Sequence, residues 1–324
     1  MSKIFITGAS GFVGTALVAQ LINSDDIDEI VCPLRSKKSI KKLYSSLSLL
    51  GVDAKSAKLR IVECELTDFE SIKESMTGCK TVIHAAAQVD LSNSDSQRMI
   101  ASNLYSTECV VTAAIDCKVK HIIHLSSIAT LENDELNAHS TESSHIKNIN
   151  SKSPYAISKF LSENAVLKAS TEGISVTTIL PAVIIGKSLG IHKGSALLTR
   201  LFSMKQPFYT LGVKGYVMLD DVVKAIIILL ATPTATSTRY VLCSENLTYR
   251  ELIWRLSSRK PTIKIATWVV NVVKTKLKIA EKLGIRFSIS DDMVEMLITK
   301  HYYDGSLITR DKGFVYSKIA NIND

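Results

Sequence analysis

Eight residues near the start constrain this chain more than any others: Thr7-Gly8-Ala9-Ser10-Gly11-Phe12-Val13-Gly14. They follow a short β-branched and aromatic run, Lys3 to Ile6, and lead into Thr15 to Ile22, where Ala16, Leu17 and Leu21 recur at helical spacing. Strand, glycine turn and helix in that order bring backbone amides and a helix N-terminus against a diphosphate. Glycine is needed because the turn is tight and the backbone must approach the ligand closely. The turn therefore predicts dinucleotide binding through Gly8, Ser10, Gly11, Phe12, Val13 and Gly14.

The same rhythm continues. Strand patterns recur at Glu29 to Leu34, Leu59 to Val62, Thr81 to Ala85, His121 to Leu125 and Val176 to Leu180, with helical patterns between most of them. Such alternation predicts an α/β fold, a doubly wound parallel sheet of the Rossmann type covered on both faces. After Gly186 the rhythm breaks. Lys187 to Gly194 reads as loop, Ala196 to Met204 as helix and Pro207 to Gly215 as loop rich in turn formers. Asp220 reads as the N-cap of a helix through Leu230, Arg239 to Cys243 as one more strand, and the remainder from Glu245 as mainly helical. The expected organisation is a dinucleotide-binding domain of residues 1–185 and 220–244 with a smaller, mainly helical substrate region of 186–219 and 245–324.

The end of the second strand selects the cofactor. An acid there would hydrogen-bond the adenine ribose hydroxyls of NAD and repel a 2′-phosphate. The sequence instead runs into Arg35-Ser36-Lys37-Lys38, where a guanidinium and a hydroxyl suit that phosphate. NADP is the expected cofactor, with NAD the alternative and a solvated basic loop the plain reading of the same residues.

The acid–base chemistry falls on Tyr155-Ala156-Ile157-Ser158-Lys159, whose four-residue spacing puts a phenol and an ammonium on one helix face. A fixed cation beside a phenol favours the phenolate and brings its pKa toward neutrality. Ser127, at the carboxyl end of the His121 to Leu125 strand, is placed to hydrogen-bond a substrate oxygen beside Tyr155. Either motif alone is common as plain helix or turn; together, in one nucleotide-binding frame, they predict catalysis by Ser127, Tyr155 and Lys159.

In these motifs the sequence resembles the extended short-chain dehydrogenase/reductases, the NAD-dependent epimerase/dehydratase group, over nearly its whole length. Val82-Ile83-His84-Ala85-Ala86-Ala87 resembles that family's small-residue strand end, Asn103 the asparagine of its following helix, and Leu180-Pro181-Ala182-Val183 the segment backing the nicotinamide. The resemblance implies cofactor contacts at Ala85, Ala86, Ala87, Asn103, Pro181 and Val183, with Lys159 also on the nicotinamide ribose, and it implies a homodimer. Tyr216 to Asp221, followed by Val222-Val223, resembles the family's aspartate-containing junction of strand and helix. Glu65-Leu66 stands where the family has aspartate-leucine beside the adenine, Leu180 replaces an arginine common in sugar-nucleotide enzymes, and Lys187 replaces a proline. The Arg35 strand end, the Ser153 to Lys159 run and Tyr302-Tyr303-Asp304 resemble the dihydroflavonol-reductase-like branch, which implies reduction of a ketone or aldehyde with NADPH. The alternatives are an NAD-dependent epimerase or dehydratase of a nucleotide sugar and a non-catalytic dinucleotide sensor.

Composition narrows what remains. A chain of 324 residues, 46% hydrophobic and 22% charged, buries a substantial core. Its six cysteines are scattered singly, which argues against a disulfide framework or a zinc site and fits a reduced, cytoplasmic setting. No metal is expected. The N-terminal apolar run is too short for an export signal, and the longest, Ala225 to Ala231, falls well short of the roughly 20 residues that cross a bilayer. A formal charge of +8 is spread without aromatic interleaving, so nucleic acid is not expected and a small carbonyl compound is the expected partner. Gln88 and Asp90 are weak substrate candidates, loop capping being the alternative, and His84 reads as a satisfied core histidine. His192, Arg200, Lys205 and Tyr209 read as surface residues of the variable region. Residues 266–283 read as an amphipathic helix with Val269, Val270, Val273, Leu277 and Ala280 on one face and Lys274, Lys278 and Lys282 on another, serving as core, lid or membrane-surface contact. Loops 130–152 and 187–215 carry specificity and no transferable motif names the substrate.

Overall fold

A computed structural model describes residues 2–88, 96–132, 139–187, 189, 195–234, 236–282 and 291–321. Asp90 and His192 lie outside the described residues. Seven strands form one sheet: β1 (Lys3–Thr7), β2 (Glu29–Leu34), β3 (Leu59–Glu63), β4 (Thr81–His84), β5 (His121–Leu125), β6 (Ser175–Pro181) and, after a gap in sequence, β10 (Thr238–Leu242). Their order is β10-β6-β5-β4-β1-β2-β3, every neighbouring pair being parallel. The period-two side-chain alternation of strands divides the interior into two layers. Ile4, Ile6, Ile30, Cys32, Ile83 and Ile123 face one core, and Phe5, Val31, Val82 and Ile122 face the other. Strands buried on both faces must read as continuous apolar runs, as these do.

Helices α1 (Phe12–Ile22), α2 (Lys37–Leu49), α3 (Phe69–Met76), α4 (Ser96–Asp116) and α5 (Pro154–Leu167) make the crossovers. Chain order reverses between β1 and β4, and a doubly wound sheet opens its ligand crevice at that switch point, outside the carboxyl ends of the strands.

Beyond β6 the structure departs from the sequence reading. A three-stranded sheet, β11-β9-β7, combines β7 (Val183–Ile185), β9 (Val213–Met218) and β11 (Glu245–Thr248), and a two-stranded pair joins β8 (Phe208–Tyr209) to β12 (Ile263–Lys264). Residues 207–215, read as loop, therefore contain strand, and residue 245 opens a strand rather than helix. The pairings are long-range, Val183 and Glu245 both lying opposite Tyr216, so no local pattern announces them. This sheet and its helices enclose a smaller core of Ile185, Tyr216, Leu247, Leu252, Leu256 and Ile319.

The remaining helices are α6 (Ser195–Ser203), α7 (Leu219–Ala231), α8 (Tyr249–Ser257), α9 (Thr267–Lys282), α10 (Asp291–Met296) and α11 (Ser306–Lys312). Asp220 does not cap α7. Met218 occupies that position without a side-chain bond, and Asp220 and Asp221 lie in the first turn, where negative charge opposes the helix dipole's positive end. Asp221 is fully buried and accepts from the Ser317 amide at 2.8 Å and its hydroxyl at 3.0 Å, which ties the C-terminal tail to the start of α7. Among the described residues no helix is long and apolar enough to cross a membrane.

Candidate active site

The glycine turn is built for close approach. Gly8 has φ +73°, which L side chains rarely adopt, and a Cβ there would lie 2.7 Å from the Ala85 carbonyl carbon and the Ala86 nitrogen. A Cβ on Gly14 would collide with the Gly8 carbonyl. These two positions let α1 begin directly against the ends of β1 and β4. Gly11, the N-cap of α1, contributes no side-chain cap, and the first turn holds no acid. The amides of that turn therefore remain available, and together with the positive end of the helix dipole they suit a diphosphate. A dinucleotide fits the cradle.

At the end of β2, Arg35 is exposed. Ser36 caps α2, its hydroxyl accepting from the Ser39 amide at 3.3 Å. Glu65 is exposed and Leu66 half-buried after β3, while Asp68 caps α3. Ala85, Ala86 and Ala87 follow β4 at the switch point. Pro181 ends β6 and Val183 opens β7, with the Ala182 amide between them donating to Leu242 at 2.9 Å.

Asn103 spends its whole amide on protein. Its oxygen accepts from the Gln88 amide at 2.7 Å, and its nitrogen donates to the Gln88 carbonyl at 3.0 Å and to the Ser158 hydroxyl at 2.8 Å. It clamps the loop after β4 to the helix that carries Tyr155 and Lys159. The Gln88 side chain reaches the Ser102 hydroxyl of α4 at 3.4 Å.

The start of α5 follows from its sequence: Ser153 caps it by accepting from the Ala156 amide at 3.3 Å, and Pro154 takes the first turn, where its fixed φ costs nothing. Tyr155 thus stands in the first turn, Lys159 in the second and Glu163 in the third. Across the crevice Ser127 follows β5, its hydroxyl accepting from the Ala129 amide at 3.1 Å. The structure brings Ser127 and Tyr155 together, and their hydroxyls interact. Burial pushes the phenol's pKa above 10, and the Ser127 hydroxyl pulls it partly back. Lys159, 5% exposed, points its ammonium at the Leu125 carbonyl, 2.7 Å away. Burial lowers its pKa to about 8, and Glu163 offsets part of that. Lys159 stands one helical turn beyond Tyr155, with one of its three N–H donors on the Leu125 carbonyl.

Sequence reasoning missed Glu163. Its carboxylate accepts from the Ser126 hydroxyl at 3.0 Å and the Thr130 hydroxyl at 3.2 Å, and pairs with Arg239 of β10 at 2.7 Å. It holds the strand end that carries Ser127 against α5. Its spacing of four from Lys159 was the available signal; its partners come from distant strands. Lys152, just ahead of α5, likewise pairs with Glu132, just beyond Ser127, at 2.7 Å.

Behind the crevice His84 is buried and fully partnered. Its Nδ1 lies 2.8 Å from the Thr7 hydroxyl and its Nε2 3.1 Å from the Thr107 hydroxyl. Since the Thr107 hydroxyl gives its proton to the Asn103 carbonyl at 2.7 Å, it accepts from Nε2–H, which assigns the Nε2–H tautomer and leaves Nδ1 to accept from Thr7. The ring stacks on His124 with centroids 5.4 Å apart. Burial, assisted by Lys159, lowers the His84 pKa to about 3, and His124 also falls well below its usual value. A neutral core histidine is what the sequence suggests at position 84.

Comparison with known proteins adds the family. Residues 4–243 match the model of the NAD dependent epimerase/dehydratase family. Tetraketide alpha-pyrone reductase 1 of Arabidopsis thaliana is 27% identical over 95% of this chain and 97% of its own length. Dihydroflavonol 4-reductase of Gerbera hybrida is 27% identical over 82% of this chain and 75% of its own. The fold is shared with DesIV, a dTDP-glucose 4,6-dehydratase from Streptomyces venezuelae with NAD and TYD bound, at a TM-score of 0.70, 21% identity and coverage of 98% of this chain and 92% of that one. The chain belongs to the NAD dependent epimerase/dehydratase family, within the extended short-chain dehydrogenase/reductases and their dihydroflavonol-reductase-like branch, and is an NAD(P)-dependent enzyme.

Proposed function

We propose that the protein is an NADP-dependent reductase of a ketone or aldehyde. The observation that carries this reading is the meeting of the Ser127 and Tyr155 hydroxyls beside buried Lys159, at the sheet end where the glycine cradle opens. Nicotinamide, when bound, supplies the hydride. Ser127 donates a hydrogen bond to the carbonyl oxygen and polarises it. Tyr155, kept protonated by burial, gives its proton to the same oxygen as negative charge develops there. Lys159 binds the nicotinamide ribose and stabilises the tyrosinate left behind.

The reductases among the curated relatives support reduction over epimerisation, as does Leu180 in place of arginine. Arg35 at the end of β2, where no acid stands, supports NADP over NAD. Gln88 and Asp90, after β4, are the substrate-contact candidates. NADPH oxidation across a panel of aromatic and aliphatic carbonyl compounds tests the reading. Loss of a general acid costs about 10²–10⁴-fold, so Tyr155→Phe should fall by that factor with NADPH affinity preserved. Undiminished turnover in that variant sinks the mechanism. Arg35→Ala should weaken NADPH binding about tenfold and leave NADH binding unchanged.

A further inference from the structure

The edge formed by β8, β12 and α9 takes no part in the site above. Phe208 and Ile263 are register partners in the parallel β8–β12 pair, so their side chains stand together on one face, 48% and 49% exposed. Ile265, next in line, is tied back to β8 through its amide and the Tyr209 carbonyl at 2.8 Å. Three residues on, Trp268 opens α9 at 69% exposure. At roughly 100° per residue, Val272 and Ile279 fall within about 40° of Trp268 on the helix, and both are exposed. The inward side of α9 carries buried Val270 and Lys274, which pairs with Glu295 of α10. Val273, read on the same apolar face as Val270, is exposed while Val270 is buried. The helix therefore shows solvent a second apolar stripe, continuous in sequence with the apolar edge of the β8–β12 pair.

The charges around it are mainly positive. From residue 252 to 280 the sequence has seven lysines and arginines and no acid, and none of residues 195–219 is acidic. Arg255 is taken up by Glu245 and Lys274 by Glu295, whereas Lys205, Arg259, Lys260, Lys264 and Lys276 are exposed. A second copy meeting this face would oppose cation to cation. Nucleic acid would need stacking platforms, and apart from Trp268 and Phe208 the protruding side chains are aliphatic. A protein partner is anchored in recessed pockets, whereas these side chains stand out from the surface. Protruding tryptophan, phenylalanine and aliphatic groups ringed by lysine match the headgroup boundary of an anionic bilayer.

We propose that the β8–β12–α9 face docks on anionic membrane surfaces, with Trp268, Phe208, Ile263, Val272 and Ile279 entering the headgroup region and the surrounding lysines meeting lipid phosphates and carboxylates. Docking needs no knowledge of the carbonyl substrate, so it stands or falls independently of the reductase reading.

The test uses the full chain with phosphatidylcholine vesicles, with and without phosphatidylserine. Trp254→Phe leaves Trp268 as the sole tryptophan. Co-sedimentation with the phosphatidylserine vesicles alone, its loss at high salt, and a blue shift of Trp268 emission on binding are the expected results. Each removed lysine near the surface should weaken binding about fivefold, so Lys264→Glu with Lys276→Glu should abolish it, and Trp268→Ser should weaken it about tenfold while the thermal melt stays unchanged. The proposal is overturned by equal sedimentation with both vesicles, by none with either, or by binding without change in Trp268 emission. It is also overturned if Trp268→Ser instead dissolves a dimer or releases nucleic acid.

Discussion

Replacing Asn103 by alanine tests how the two halves of the site are held together. The side chain makes three hydrogen bonds, to the Gln88 amide, the Gln88 carbonyl and the Ser158 hydroxyl, and is 6% exposed. A net contribution of about 1 kcal/mol per bond gives a loss of about 3 kcal/mol, with more if the Gln88 amide is left dry. Against a total stability of about 5–15 kcal/mol that is a large share, and thermal denaturation should show a drop on the order of 5–10 °C. The chemistry should suffer too: the loop after β4 would come loose from α5, weakening NADPH binding and lowering kcat/KM together. Asn103→Asp sharpens the test. Its carboxylate still accepts from the Gln88 amide but faces the Gln88 carbonyl with a second acceptor, so the variant should match alanine at neutral pH and recover as acid restores a donor. An alanine variant that melts within about 2 °C of the parent and binds NADPH unchanged would refute the clamp.

Two further outcomes follow from the same geometry. Lys159 titrates near 8 because it is buried, so its ammonium is present below that pH and lost above it. NADPH dissociation constants, measured by fluorescence, should be flat at neutral pH and rise above about 8, while the unliganded protein gains stability between the folded pKa and the ordinary 10.5, where the unfolded chain binds more protons. Gly8→Ala places a side chain at φ +73° against the backbone of Ala85 and Ala86. It should cost at least about 1 kcal/mol in urea denaturation and abolish measurable NADPH binding, and a variant that binds normally would show that the turn does not form the cradle.

The sequence was transparent where physics is local. Lys3 to Ile6, the glycine turn and the helix after it are written in neighbouring residues, and the strands buried on both faces had to read as apolar runs. Ser153-Pro154 likewise announces the helix that spaces Tyr155 and Lys159. The second region hid because its strands are short and paired at long range. Gly215, read as a turn former, lies inside β9, where a Cβ would meet Cys243 Sγ and the Tyr303 ring at 2.8 Å: it serves close packing. Helical spacing also could not tell which apolar side of residues 267–282 would find a partner, and Val273 and Trp268 show the answer. At the site, spacing put Lys159 and Tyr155 on one face but could not give the depth at which they lie, which raises the phenol's pKa and lowers that of the ammonium.

The stacked pair of His84 and His124 makes the fold sensitive to acid. Both rings are held neutral, and so are His121 and His301, each lowered by burial to about 4. The unfolded chain takes up these protons near pH 6.5, the folded one only far below, so stability is full above that value and drains away as acidity increases. For His84 alone the lowering to about 3 amounts to on the order of 5 kcal/mol once the medium is acid enough. Carboxylates lose their charge at lower pH than this, so acid begins to draw on the stability of the fold through its buried histidines first, and melting temperatures should already fall between about pH 6 and pH 5.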